Sequence, residues 1–142
     1  MEKELDWKEC IRQGIVRNMT PDPERAAHLV SMAMLRFGFW NREIEPKFSA
    51  LKVEAYYEVI KEIVFAMLYR KGLDCSNHIC LISYLKENVS DFDYETNKID
   101  ELRRARNDIA YRGFNVSNDY LKQNELEFKW IIGKLKEITE KD

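Results

Sequence analysis

Arg106 is the residue whose position in the sequence most clearly points to chemistry. The apolar residues Ile99, Leu102 and Ile109 recur around it at helical spacing, and Arg106 falls on the same predicted face. Burying a guanidinium without an anion costs several kcal/mol. Arg106 therefore either pairs with a carboxylate from another helix or faces a cleft or subunit interface that receives an anionic ligand.

Asn107 and Tyr111 lie one helical turn apart beside Arg106, so an amide and a phenol can converge near its guanidinium. Arginine provides a planar fork of donors for phosphate oxygens, asparagine can orient a hydroxyl or a water, and tyrosine can donate a hydrogen bond or stack on a base. Arg103, three residues before Arg106, adds a second positive charge. These residue types suit the binding of a phosphate group.

The neighbouring charges of this segment have a simpler explanation. Asp100, Arg104, Asp108 and Arg112 follow one another at a spacing of four with alternating sign. Such a ladder on a solvated helix face contributes about 0.3–0.5 kcal/mol per pair. Arg104 and Arg112 therefore need no ligand to explain them.

The rest of the chain predicts an all-α fold. Five glycines and three prolines interrupt 142 residues, and the segments between them repeat apolar residues at helical spacing. Asp22 is a predicted N-cap, with Pro23 at the first helical position. Helices are predicted over about 5–18, 23–44, 49–71, 76–88 and 97–112, with a last one from Ser117 or Asn118. Long helices joined by short loops predict a single domain over 1–142, an up-and-down four-helix bundle with additional short helices.

Composition excludes some classes of protein. With 34% charged and 45% hydrophobic residues the chain is too apolar to be disordered, and a net charge of −2 excludes a globally basic nucleic-acid-binding protein. His28 and His78 lack partners at ligand spacing, so neither a metal site nor a cofactor is predicted. The three cysteines include no CxxC pair and are predicted to be reduced, buried thiols. No apolar leader follows Met1, and we expect a cytoplasmic protein.

The run from Arg106 to Tyr111, read as Arg-Asn-Asp-Ile-Ala-Tyr, resembles the motif of the HEPN superfamily. That motif is an Arg-Asn pair followed at a short interval by His, near the end of a late helix. Residues 68–73 and 76–78 resemble the family's joint between its long and short helices, and the similarity covers roughly residues 25–135. The resemblance implies a helical homodimer whose two motifs line a shared cleft, and often a metal-independent endoribonuclease.

The resemblance also implies roles for the matched residues. Arg106 would hold the scissile phosphate, Asn107 would order the cleft, and the residue at 111 would move a proton to or from the ribose 2′-hydroxyl. The chain departs from the family here, since Tyr111 stands where catalytic members have His. A phenol with a pKa of about 10 is ionised in roughly one molecule per thousand at pH 7, which makes it a poor general base.

Two hypotheses follow from these patterns. In the first, the chain is a dimeric RNA- or nucleotide-binding protein with weak or lost ribonuclease activity, and the resemblance implies a small nucleotidyltransferase as its partner in a toxin–antitoxin pair. In the second, it is a non-catalytic helical interaction module in which Arg106 forms a structural ion pair. The tyrosine that the partner modifies in some family members is replaced by Gly113, so that regulation is not implied.

Overall fold

The computed structural model describes residues 5–112 and 118–141, without the side chains of Tyr111 and Arg112. Within these ranges the fold is all-α, as the sequence predicts, with one small antiparallel sheet. The elements in chain order are α1 (Trp7–Arg12), β1 (Val16–Asn18), α2 (Pro23–Trp40), α3 (Ser49–Arg70), β2 (Leu73–Cys75), α4 (His78–Asn88), α5 (Asp93–Arg112) and α6 (Asn118–Lys141). A short 3₁₀ turn, Pro46–Phe48, precedes α3.

Helix α3 forms the centre of the fold. Its apolar residues cover most of its circumference, and the side chains of Val53, Ile60, Ile63 and Met67 are almost fully buried. It packs against α2, α5 and α6, so the four long helices share one core. A helix that is apolar on nearly every side is stable only when neighbours surround it. The central position of α3 is therefore the position that its sequence requires.

The N-terminal segment differs from the prediction of one helix over 5–18. Helix α1 ends at Arg12, Gly14 adopts a positive φ of 74°, and β1 then pairs with β2. In this antiparallel pairing Val16 lies opposite Cys75. The prediction of a long first helix was wrong because a strand partner far along the chain outweighs the local helical pattern.

Gly72 allows β2 to approach the segment that follows β1. Its φ is +73°, and a Cβ at this position would lie 2.5 Å from the carbonyl oxygen of Met19 and 3.1 Å from the ring of Pro21. The backbone N–H of Met19 donates to the Gly72 carbonyl at 2.9 Å. Only glycine fits this positive φ and this close contact without strain. The predicted end of α3 before Gly72 is confirmed.

Other helix boundaries are shifted from their predicted places. Asp22 caps α2 as predicted, accepting a hydrogen bond from the backbone N–H of Arg25 at 3.0 Å. Helix α2 ends at Trp40 rather than near residue 44, and Asn77 rather than Ser76 caps α4.

Helix α5 begins four residues earlier than predicted, at Asp93 rather than at Asn97. Residues 89–96 read as a polar linker in the sequence, but Phe92 and Thr96 are almost fully buried. Burial of these two side chains stabilises the first turn of α5 against the core. The predicted helix stop at Gly113 and the predicted cap at Ser117 lie outside the described residues.

The cysteines correct the prediction of three reduced thiols. Cys10 of α1 and Cys80 of α4 form a disulfide bond across a sequence separation of 70 residues. Cys75 is a buried free thiol, as predicted. The bond and the small sheet together join residues 5–18 to the region around α4. In the described part of the chain no helix combines the length and the apolar content needed to cross a bilayer.

Candidate functional site

Arg106 lies where α5 packs on α3. Its Nη2 is 3.4 Å from Oε1 of Glu58, and its Cζ is 5.9 Å from the centre of the Tyr57 ring. The Arg106 side chain is 19% exposed. Arg106 thus meets a carboxylate from another helix, as one of the two alternatives requires, and it also remains accessible to solvent, as the other requires.

Among the arginine side chains of α5 that the structure describes, Arg103 rather than Arg106 is the most buried. Its side chain is only 4% exposed, and its Nε donates to Oδ1 of Asp100 at 2.9 Å. Position 103 follows Ile99 by four residues, so it shares the buried face that the sequence pattern assigned to Arg106. Asp100 also pairs with Arg104 at 3.2 Å, which confirms the first rung of the predicted ladder.

The other predicted residues of α5 are only partly described. Asn107 is half-buried next to Arg106. Tyr111 lies in the last turn of α5, but its side chain is outside the described part of the chain, so its predicted position beside Arg106 stays a prediction. The structure therefore brings Arg103, Arg106 and Asn107 to one region of α5.

His78 joins this region through Tyr57. The Tyr57 hydroxyl and Nδ1 of His78 are 3.1 Å apart, a hydrogen bond, and the two ring centres are 5.9 Å apart. His78 is the first residue of α4, held in place because Asn77 caps the helix by accepting from the N–H of Ile79 at 2.7 Å. Burial raises the pKa of the Tyr57 phenol, although the charges of Arg103 and Arg106 act against this shift. Tyr57 is therefore a neutral phenol that contacts both the guanidinium and the imidazole.

We call the side chains gathered around Tyr57 and His78, together with these two residues, the Arg106 cluster; its members are Tyr57, Glu58, Lys61, His78, Arg103 and Arg106. Lys61 lies 2.7 Å from Glu58 and adds a third full positive charge. Burial lowers the pKa of His78, and the positive charges of Lys61, Arg106 and Arg103 lower it further, while Glu58 opposes them. The imidazole is therefore neutral near pH 7, because its pKa lies below its usual value of about 6.5.

A second ion pair lies one helical turn along α3 from Glu58. Glu62 accepts a hydrogen bond from Nε of Arg36 on α2 at 3.1 Å. Burial raises the pKa of the Glu62 carboxyl, with the Arg36 charge acting in the opposite direction. Arg36 from α2 and Arg106 from α5 thus bind successive carboxylates of the same helix.

Four members of the Arg106 cluster were missed by sequence reasoning: Tyr57, Glu58, Lys61 and His78. Glu58 and Lys61 are opposite charges three residues apart on α3, which was an available signal for a pair on one helix face. His78 was considered only as a metal ligand. Among the described residues no group of three His, Cys, Asp or Glu side chains is arranged to hold a metal ion.

The Arg106 cluster lies apart from two hollows in the described part of the chain. Hollows of about 290 and 270 Å³ open elsewhere, one beside Lys71 and Lys134 and the other beside Lys52 and Lys122, and neither is lined by a member of the cluster. Chemically, the cluster offers donors for phosphate oxygens in Arg106 and Lys61, positive charge from the buried Arg103, and a neutral imidazole that can accept a proton.

Comparisons of the chain with protein-family models, with curated proteins and with solved structures give no match. The likeness of residues 106–111 to the HEPN motif therefore stays a prediction from the sequence.

Proposed function

We propose that the chain is a HEPN-like homodimeric protein that binds RNA or a nucleotide through phosphate at the Arg106 cluster, with weak or lost metal-independent endoribonuclease activity. The observation that carries the proposal is the gathering of Arg103, Arg106 and Lys61 around His78 and the buried phenol of Tyr57. Against these three positive charges stand the carboxylates of Glu58 and Asp100. A region with an excess of positive charge attracts a phosphate.

The contact between Arg106 and Glu58 is longer than a typical charge-assisted hydrogen bond. Hydrogen bonds between a guanidinium and an anion are typically about 2.7–2.9 Å long, whereas this contact is 3.4 Å. Both side chains retain some exposure to solvent, and such a pair contributes at most about 1 kcal/mol to folding. A phosphate placed beside Arg106 gains shorter, charge-assisted hydrogen bonds from the same guanidinium.

Replacing Arg106 by alanine is expected to weaken RNA or nucleotide binding by about 10- to 100-fold, because a hydrogen bond to a charged group contributes about 1.5–3 kcal/mol. The measurement is fluorescence anisotropy of a labelled single-stranded RNA at low salt, with unlabelled nucleotides as competitors. Arg104→Ala is the matched control, since it removes one positive charge from the exposed side of the same helix. We expect this control to change the affinity by about twofold or less.

The proposal is contradicted if the unmodified chain binds neither ligand. It is also contradicted if Arg106→Ala and Arg104→Ala lose equal amounts of binding affinity. The RNA arm and the nucleotide arm of the assay identify which ligand class the Arg106 cluster prefers. A salt titration adds a further check, because phosphate contacts make binding weaker as salt rises.

The second candidate function is a non-catalytic interaction module, and the contact between Glu58 and Arg106 is the observation that favours it. Glu58→Gln separates the two candidates. If the pair is structural, Glu58→Gln and Arg106→Ala both destabilise the fold by several kcal/mol. If Arg106 serves a ligand, Glu58→Gln leaves stability within about 1 kcal/mol and strengthens binding, since it removes a negative charge from the cluster.

The homodimer in this proposal needs a surface, and the outer face of α2 supplies one. Met32, Leu35 and Phe39 are exposed at spacings of three and four, and Leu35 is 69% exposed. Between residues 26 and 41 the sequence has one charged side chain, Arg36, which is turned to Glu62 of α3. An uncharged apolar face is typical of the centre of an interface. We propose a second copy of this chain as the occupant, because a two-fold axis places the same face on both sides.

Leu35→Arg is therefore expected to convert a dimer into a monomer. Light scattering at several concentrations measures this change as a fall in mass from twice 17.0 kDa to 17.0 kDa. The matched control is Leu126→Arg on α6, where the leucine is 81% exposed and lies outside the face of α2. A monomeric unmodified chain, or a dimer that survives Leu35→Arg, would rule this interface out.

The proposal also includes the biological setting that the HEPN resemblance implies. We place the protein in the cytoplasm, as one half of a toxin–antitoxin pair with a small nucleotidyltransferase. This part of the proposal is supported by the sequence of residues 106–111 alone.

A further inference from the structure

We infer that His78 accepts the proton of the ribose 2′-hydroxyl when the Arg106 cluster cleaves RNA. The inference rests on the proposed function, and it identifies a catalytic residue outside the motif of residues 106–111. It answers the difficulty that Tyr111 raises, since a phenol is seldom ionised at neutral pH. His78 is one of two histidines in the chain, and it lies next to the arginine that the proposal assigns to phosphate.

Tyr57 fixes His78 relative to Arg106. Its hydroxyl is 3.1 Å from Nδ1 of His78, and its ring centre is 5.9 Å from Cζ of Arg106. When Nδ1 carries the imidazole proton, it donates to the phenol oxygen and leaves the lone pair of Nε2 available as a base. His78 is half-buried, so its ring is oriented by the protein and still accessible to a ligand.

The proposed step is the transesterification that RNA allows. Nε2 of His78 takes the proton from the 2′-hydroxyl, and the 2′-oxygen forms a bond to phosphorus. The bond between phosphorus and the 5′-oxygen breaks, and that oxygen takes a proton from water. The products are a 2′,3′-cyclic phosphate and a 5′-hydroxyl end, and the imidazolium returns its proton to the solvent. Arg106 stabilises the negative charge on the phosphate oxygens during this step.

The charged surroundings of His78 favour the form that the step requires. From α3 it faces Tyr57, Glu58 and Lys61, and from α5 it faces Arg103 and Arg106. Burial and the three positive charges lower the pKa of His78 below its usual value, with only Glu58 opposing them. The imidazole is therefore ready to accept a proton at neutral pH. The cleavage rate is expected to rise with pH, with the midpoint of the rise below about pH 6.5, and then to level off.

His78→Gln tests the inference, with cleavage of a defined RNA measured in the presence of a chelator and the cyclic phosphate product identified. We expect about a 100-fold or larger fall in rate, together with loss of the acidic limb of the pH profile. RNA affinity is expected to stay within about twofold, because the arginines remain in place. His28→Gln is the matched control, since His28 is exposed on α2, and its rate and pH profile should equal those of the unmodified chain.

Two further variants test whether the loss of cleavage rate reflects catalysis rather than misfolding. Added imidazole should restore part of the rate in His78→Ala, which a merely structural histidine would not allow. Tyr57→Phe keeps the buried ring but removes the hydrogen bond to Nδ1, and it should lower the rate less than His78→Gln does.

The inference and the proposed function fail in different ways. If Arg106→Ala abolishes binding while His78→Gln retains its rate, the role of His78 is refuted and the binding proposal stands. If the unmodified chain binds RNA but yields no cyclic phosphate, the role of His78 is refuted as well. If no RNA or nucleotide binds at all, the proposed function itself fails.

Discussion

Replacing Glu125 by leucine is expected to lower the free energy of unfolding by about 3–5 kcal/mol. The Lys52 side chain is only 4% exposed, and its Nζ lies 2.6 Å from Oε2 of Glu125. The same carboxylate oxygen accepts from the Tyr56 hydroxyl at 2.6 Å. Without Glu125 the ammonium group stays buried with the carbonyl oxygen of Arg42, at 2.7 Å, as its remaining described acceptor. Chemical denaturation followed by circular dichroism measures the loss.

A double-mutant cycle shows whether the stranded charge causes this loss. Combining Lys52→Met with Glu125→Leu removes both charges, and the double variant is expected to be more stable than Glu125→Leu alone. Tyr56→Phe is the milder control, since it removes one hydrogen bond and should cost about 1 kcal/mol. A double variant that is no more stable than Glu125→Leu would mean that a buried, unpaired Lys52 is not the cause.

The carboxylate of Glu125 also makes the free energy of unfolding depend on pH. Burial alone would raise the pKa of Glu125, but hydrogen bonds from Lys52 and Tyr56 outweigh it and hold the pKa below its usual value. A lowered pKa in the folded state contributes stability above the unfolded pKa of about 4.3, and this contribution is lost as pH falls through the folded value. Glu125→Gln should remove this part of the acid sensitivity in urea titrations run at a series of pH values.

Reduction of the bond between Cys10 and Cys80 is expected to lower the free energy of unfolding by about 4 kcal/mol. The bond closes a loop with a sequence separation of 70 residues, so its main effect is to restrict the unfolded chain. Denaturation with and without a reductant measures the difference. The Cys10→Ala and Cys80→Ala double variant should match the reduced protein within about 1 kcal/mol.

Cys75 provides the control for this experiment. It is a buried thiol outside the disulfide, so Cys75→Ala tests the effect of removing a sulfur without opening the loop. The reductant should lower the stability of Cys75→Ala by as much as it lowers that of the unmodified chain. Equal denaturation midpoints with and without reductant would show that the bond does not form in solution.

Local patterns in the sequence were enough to predict most of the helices. The continuous apolar stripe of α3 and the glycine after it located this helix to within one residue at its end. The predicted extent of the first helix was wrong because β1 pairs with a strand 57 residues away in sequence. No local pattern reveals such a contact. The disulfide was missed for the same reason, since three cysteines in a sequence do not show which pair meets in space.

The candidate site was predictable only on the helix that carries its motif. Arg106 stands out in the sequence because it falls at apolar spacing in α5, and Arg103 was predicted beside it as a second positive charge. Glu58 lies 48 residues away from Arg106, and His78 joins the cluster through Tyr57, so neither could be assigned before the helices were packed. Sequence patterns can thus place residues on one face of an element, while the fold determines which faces meet.

The placement of Glu58 beside Arg106 has a consequence for selectivity. The guanidinium already holds an internal counter-anion, so an incoming ligand must outcompete a carboxylate that is tethered to α3 and never diffuses away. Chloride or a single free carboxylate carries no more charge than Glu58 and has no tether to hold it beside Arg106. If the cluster binds RNA as we propose, the polyanion engages several cations at once, and these contacts together compete with the tethered carboxylate better than a single contact does.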